Sequence, residues 1–328
     1  MTLLKRLFFL MFLTGLCAAG GLAYWSNQAI FFNQESIDFS IKPGSSLRSA
    51  SRQIRDAHVP INPYLFELLA RVTGKANQLK AGAFEAKSDE SPLALLNKIA
   101  NGEFSHSSLA IIEGWSFKQM RAAIDANADI KHDTRGWSDE EIVKKIDAEF
   151  GAAEGLFFPD TYLFAKGSSD LDVYQLAHQS MMKRLKDAWQ NRAENLPYKT
   201  PYDALVMASI IEKETGQASE RAMIAAVFIN RLRSGMLLQT DPTVIYGMGD
   251  KYKGKIRKVD LQTDTPYNTY TRGGLPPTPI ALPGLASLTA ALKPAQSNAY
   301  YFVAKGDGTS HFSQNLDEHN RAVNKYQR

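Results

Sequence analysis

The chain has 328 residues, enough for two domains with sizeable cores. At 44% hydrophobic and 22% charged, its composition excludes both a disordered chain and a polytopic membrane protein. The net charge of +4 comes without a dense basic run interleaved with aromatics, which excludes nucleic acid but suits an anionic cell-wall polymer or lipid surface.

Lys5 and Arg6 precede an apolar run from Leu7 to Trp25, and no acidic residue appears before Glu35. As a helix the run spans roughly 28 Å, close to the thickness of a bilayer core. The positive charge before it predicts a cytoplasmic N-terminus at 1–6, a transmembrane helix at 7–25 and export of everything beyond. Tyr24 and Trp25 close the run as interfacial aromatics would. The small residues Cys17-Ala18-Ala19-Gly20 would also suit a cleaved signal peptide. A lipoprotein signal fits less well, because Leu16 stands where a small residue is wanted and the apolar run continues past the cysteine. All three readings export the rest of the chain. The single cysteine, Cys17, rules out an intramolecular disulfide.

Residues 36–104 read as a small α+β module. Ser36–Ile41 alternates as a half-buried strand does, and Pro43-Gly44 makes a turn. Ser45 or Ser46 caps a helix to about Ala57. Asn62-Pro63 opens a second helix with Leu65, Leu68, Leu69 and Val72 on one stripe. Lys80–Glu85 reads as a strand, and Ser91-Pro92 starts a helix ending near Gly102.

Residues 105–328 form a larger α+β region. A strand is expected at Ser108–Ile112 and helices at Trp115–Ile124 and Trp137–Phe150, the latter capped by Ser138. The aromatics of Glu154-Gly155-Leu156-Phe157-Phe158-Pro159-Asp160-Thr161-Tyr162 fit either a core or a sugar platform. A long helix follows from Asp172 to about Ala193. Asp203 is expected to cap a helix through Thr215 that Gly216 terminates, and Ser219 to cap the next, ending at Ser234-Gly235. Gly, Pro, Asn and Thr-rich loops come after, then a strand at Tyr300–Ala304 and a helix at Asp317–Tyr326.

The helix from Asp203 is apolar on every side for two turns, so it is expected to be buried all round. Glu212 ends that stretch, with Ala208 and Ser209 one turn back. Apolar surroundings and the C-terminal end of a helix both disfavour a negative charge there. A carboxylic acid kept protonated is what glycosidic bond cleavage needs. A surface acid paired with Lys213 or a later arginine fits the same pattern, and Glu214, with Ile210 and Ile211 behind it, has an equal claim. The loops around Gln239, Asp241, Asn268 and Tyr270 are dense in amides, hydroxyls and aromatic rings, which suits a sugar and equally suits ordinary turns. No metal or other cofactor is expected. The six histidines, His58, His106, His132, His178, His311 and His319, form no two-histidine helical motif, and one cysteine cannot build a thiolate site. Neither a phosphate-binding glycine loop nor a Gly-x-Ser-x-Gly elbow is present.

Ala208-Ser209-Ile210-Ile211-Glu212-Lys213-Glu214-Thr215, Phe228-Ile229-Asn230-Arg231-Leu232 and Leu238-Gln239-Thr240-Asp241-Pro242-Thr243-Val244-Ile245-Tyr246 follow one another in order. With Phe158–Tyr162, Tyr267-Asn268-Thr269-Tyr270 and Gly274-Leu275-Pro276-Pro277, they closely resemble the endolytic murein transglycosylases of the MltG (YceG-like) family. The resemblance runs from the apolar helix to the C-terminal helix. It implies a single-pass protein of the bacterial inner membrane, with a LysM-like module before a periplasmic catalytic domain. Phe39–Leu47 looks like the opening of such a module, with Ser45-Ser46 where Asp-Thr is common. The family's catalytic glutamate matches Glu212. The resemblance further implies internal cleavage of nascent peptidoglycan glycan strands beside membrane-bound synthases. The bond cut is the β-1,4 bond between N-acetylmuramic acid and N-acetylglucosamine, and 1,6-anhydro ends are left. Gln239, Asp241, Asn268 and Tyr270 are expected to line the glycan groove, although Pro242 would also let Asp241 act as a helix cap. Two competing functions are a muramidase using a second acid such as Asp241 or Asp160, and a non-catalytic cell-wall-binding scaffold.

Overall fold

The structure, a computed structural model, describes residues 3–146 and 148–327. Met1 and Thr2 of the expected cytoplasmic segment, Asp147 of the expected helix 137–150, and Arg328 lie outside the described residues. The chain divides into two compact units, of mixed helix and sheet. The first comprises Met1–Ser108, Asp129–Lys131 and Leu163–Ser168, and the second the remainder.

The first unit begins with α1 (Leu3–Asn27), whose stretch Lys5–Asn27 is long and apolar enough to cross a membrane. Then come β1 (Ser36–Ile41), α2 (Leu47–Asp56), α3 (Pro63–Val72), β2 (Gly82–Lys87) and α4 (Pro92–Asn101). Local chemistry sets the helix starts. The side chains of Ser46, Asn62 and Ser91 each accept a backbone N–H of the following first turn. Pro63 and Pro92 then occupy first-turn positions where no N–H is needed. Gly102 ends α4 in the left-handed region at φ 76°.

β1 and β2 pair antiparallel from Ser36 opposite Lys87 to Ile41 opposite Gly82, so the second strand lies two residues later than its sequence pattern predicts. That register sets Phe39 opposite Phe84, and the two rings stack with centroids 5.7 Å apart. Ile54, Phe66, Leu95 and Ile99 complete a fully buried core. Trp25 packs partly against this core, whereas Tyr24 is exposed, so only Tyr24 has the exposure of an interfacial aromatic.

β3 (His106–Ala110) pairs with β4 (Thr161–Ala165), a strand not expected from the sequence. The second unit holds α5 (Phe117–Ala126), α6 (Asp139–Lys145), α7 (Asp170–Gln190), α8 (Pro201–Glu214), α9 (Arg221–Arg233), α10 (Asp241–Met248) and α11 (Lys258–Gln262). It closes with α12 (Leu285–Leu292), the antiparallel pair β5 (Tyr301–Ala304) and β6 (Ser310–Ser313), and α13 (Leu316–Tyr326). α6 stops five residues before its expected end, and Phe150 stacks on Tyr202 at 4.6 Å.

α8 is the central helix, buried continuously from Ala204 to Ile211 and packed against α7, α9, α10 and α12. Its cap is Thr200 and not Asp203. Pro201 takes the first helical position, and Thr200 and Asp203 exchange side-chain-to-backbone bonds in a capping box. α9 likewise starts from Glu220, not Ser219. A 3-10 turn at Ala218–Glu220 precedes it, and the Glu220 carboxylate accepts Ser310 N–H at 2.6 Å and its hydroxyl at 2.8 Å. The aromatic run 157–162 is core. Phe157 is fully buried against Phe117 and Tyr174, and the Tyr162 hydroxyl donates to the Phe158 carbonyl at 2.7 Å.

Candidate active site

α8 carries its two acids out of the apolar core at its last turn. Residues two apart on a helix point about 200° apart, so Glu212 and Glu214 leave on opposite sides.

The Glu212 side chain is only 5% exposed. Its Oε2 accepts Gly284 N–H at 2.9 Å, and its Oε1 lies 3.4 Å from Nη2 of Arg221, at the start of α9. Burial and pairing with a later arginine, alternatives on the sequence alone, thus occur together. The strip 280–284 that supplies the Gly284 N–H is fastened at its start and its middle. Ile280 N–H donates to Ser209 Oγ of α8 at 2.9 Å. Leu282 exchanges backbone bonds with Gly114 and Trp115, at 2.9 and 2.7 Å. Gly114 turns at φ 77°, a conformation that favours glycine, and its carbonyl accepts Lys213 Nζ at 3.1 Å. The loop 113–115 therefore packs over Glu212, with the site of an added Gly114 Cβ 3.8 Å from Glu212 Cγ.

Glu214 meets different neighbours. Burial raises its pKa; the Thr240 hydroxyl, which donates to Oε1, opposes that rise. Asp241 opens α10 as its first residue, after Thr240 at the cap position, and its Oδ1 accepts the Tyr270 hydroxyl at 2.5 Å. Desolvation first, then this bond to Asp241, pushes the Tyr270 pKa up. Gln239 is exposed at φ 50°, an uncommon conformation outside glycine, and its N–H donates to Thr269 O at 3.1 Å. Arg231 holds that loop from beneath, donating to Leu238 O at 2.8 Å and to Tyr300 O at 2.7 Å.

Asn268 does not fit a groove-lining role. It is 1% exposed, its amide nitrogen donates to Thr263 O at 2.7 Å and Leu261 O at 3.0 Å, and its oxygen accepts Tyr270 N–H at 2.9 Å. Its polar groups are spent closing the loop that presents Tyr270. Among the described residues, none of Gln239, Asp241, Asn268 and Tyr270 bonds to Glu212. Asp160 is half exposed and lies 3.7 Å from Arg184.

Three residues with roles here were not singled out from the sequence: Arg221, Gly284 and Glu154. Glu154 is buried, and desolvation pushes its pKa up to about 7, against the Phe117 N–H at 2.9 Å and the Tyr246 hydroxyl. With Ser116, Tyr246, Tyr267 and Thr278 it lines a cavity of about 640 Å³. Its one local signal was an acid directly ahead of a buried aromatic run. Among the described residues, no group of three or more His, Cys, Asp or Glu is arranged to hold a metal ion.

Residues 39–325 match the YceG-like family. A Bacillus subtilis protein named endolytic murein transglycosylase is 30% identical, over 90% of this chain and 86% of its own. A Streptococcus pneumoniae protein of the same name is 26% identical, over 96% of this chain and 64% of its own. A crystal structure of a YceG-like protein from Listeria monocytogenes, 30% identical, superposes with a TM-score of 0.54 over 88% of this chain and 98% of that one. A match running from β1 into α13, joined to a relative sharing 30% of its residues along most of both chains, places this protein in the YceG-like family.

Proposed function

We propose that this protein is an endolytic peptidoglycan lytic transglycosylase whose catalytic acid is Glu212. The observation that carries the reading is the Glu212 carboxyl. It is fixed by Gly284 N–H and Arg221, at the end of a buried helix, in a chain whose relatives are named endolytic murein transglycosylases.

Glu212 donates a proton to the oxygen of the β-1,4 bond between N-acetylmuramic acid and N-acetylglucosamine, and the bond from C1 to that oxygen breaks. The carboxylate left behind stays fixed between Gly284 N–H and the Arg221 guanidinium. It takes the proton of the muramic C6 hydroxyl as O6 bonds to C1. The acid is regenerated, a 1,6-anhydro end forms, and no water is consumed. One carboxyl serves both steps, unlike the usual hydrolase pair. Gln239, Asp241 and Tyr270 contact the glycan, and Asn268 shapes the loop beneath.

The order β1–α2–α3–β2, with its strands antiparallel, supports reading 36–104 as a LysM-like module ahead of a catalytic domain at 105–328. α1 is the single-pass inner-membrane anchor, with a cytoplasmic N-terminus and a periplasmic catalytic domain. The substrates are nascent strands beside membrane-bound synthases, where cleavage terminates elongation. The test is mass spectrometry of products from purified glycan strands. Anhydro-muramic ends are expected, whereas reducing ends would make the protein a muramidase and absence of products a binding scaffold.

A further inference from the structure

α3 shows apolar side chains to both sides. Phe66, Leu69 and Ala70 enter the core of the first unit, yet Tyr64, Leu68 and Val72 are 67%, 45% and 70% exposed at a spacing of four. A helix of a water-soluble module ordinarily shows a polar face opposite its core. The outward stripe is not isolated. Leu68 and Val72 line an apolar groove of about 480 Å³ together with Ala19, Leu22 and Ala23 of α1 and Leu93 of α4.

Position along α1 gives this groove a depth. With Lys5 at the inner boundary, a hydrocarbon core of about 30 Å at about 1.5 Å per residue ends near Trp25. Ala19 to Ala23 then lie roughly 3–9 Å inside it. Leu68, Val72 and Leu93, lining the same groove, are carried to that level. The polar side chains at the outer end of the groove, Ser26 and Asn27 just past that boundary and Thr73 at the end of α3, turn inward to backbone carbonyls of their own helices. Ser26 Oγ and Asn27 Nδ2 both donate to Ala23 O, at 3.0 and 2.8 Å, and Thr73 Oγ1 donates to Leu69 O at 2.7 Å.

We propose that the first unit is seated in the outer leaflet of the membrane, with phospholipid acyl chains covering the groove between α1, α3 and α4 and the outward stripe of α3. The inference rests on reading α1 as an anchor and extends it. The chain enters the periplasm from a module partly sunk in lipid, not from a bare stalk. Immersion by about 5–10 Å is the depth at which amphipathic helices lie in an interface.

The test uses the full chain in vesicles of phosphatidylethanolamine and phosphatidylglycerol, with or without dibrominated acyl chains. An environment-sensitive fluorophore is placed on native Cys17 in α1, or on Val72→Cys in a Cys17→Ser background. Val72 is exposed, so the label displaces no core. The proposal expects brominated lipid to quench both labels to a similar degree and aqueous iodide to quench neither. Lipid quenching at Cys17 with iodide quenching at position 72 would overturn it while leaving the anchor intact. Protection of position 72 from both quenchers would overturn it in favour of a protein, a second copy included, filling the groove. Loss of lipid quenching at both labels would remove the anchor and the proposal together.

Discussion

Glu212 and Glu214 share a helix turn and a nearly identical sequence context, and the structure gives them opposite surroundings. Glu212 faces two fixed donors, a backbone N–H and a guanidinium, beneath the loop 113–115. Glu214 is desolvated against a neutral hydroxyl, and its pKa rises. A carboxyl that must give up a proton and take one back has to be held in place through the cycle. Glu212 has that arrangement, while Glu214 has the surroundings of an acid that braces the Thr240–Asp241 loop. The difference arises from what the rest of the chain folds against each side of α8, not from the helix itself.

The sharpest way to break this contrast is at Glu212. Glu212→Gln keeps the acceptor for Gly284 N–H, so the fold should hold, and cleavage is expected to fall by about 10²–10⁴-fold, the usual worth of a general acid. Full activity in a folded variant would remove Glu212 from the chemistry.

Glu154 supplies a third environment, desolvation with partners too weak to offset it. Its folded pKa of about 7 exceeds the ordinary 4.5, so the folded state holds the proton more tightly than the unfolded chain. Stability from this group is greatest below 4.5 and is lost as pH rises toward 7, by roughly 3 kcal/mol in all. Urea unfolding of Glu154→Gln should show that part of the slope flattened, and an unchanged slope would place the titration elsewhere.

Ser209→Ala leaves the buried Ile280 N–H without its acceptor and loosens the strip that delivers Gly284 to Glu212. A loss of about 2 kcal/mol in stability is expected, with kcat falling more than KM rises. Equal effects on both would mean that the strip does not position the acid. The smallest effect is predicted for Glu214→Gln, which retains an acceptor for Thr240 and should cut activity by no more than about tenfold, the equivalent of 1.4 kcal/mol. A loss as deep as that of Glu212→Gln would erase the distinction between the two acids.

What the sequence revealed was local. Asn62-Pro63, Ser91-Pro92 and Ser138 mark helix starts because a cap and its N–H partner lie within three residues. The all-round burial of α8 followed from its unbroken apolar run. α10 and α12 were hidden in a stretch that read as loop: Pro242 in fact takes a first-turn position of α10, and α12 starts from Gly284, which has no side chain to signal a cap. The partners of Glu212 were hidden because Arg221 lies nine residues on and Gly284 seventy-two, and a backbone N–H carries no side-chain signature. Asn268 misled for the reciprocal reason, since an amide suited to a sugar is equally suited to the carbonyls of its own loop.

The central claim is that Glu212, and not its neighbour, makes and remakes the acid. Its most direct test is mass spectrometry of digests of purified glycan strands by the wild type, Glu212→Gln and Glu214→Gln proteins side by side. Anhydro-muramic ends from the wild type and from Glu214→Gln, but not from Glu212→Gln, are the predicted result. Anhydro ends persisting in Glu212→Gln and vanishing in Glu214→Gln would contradict it.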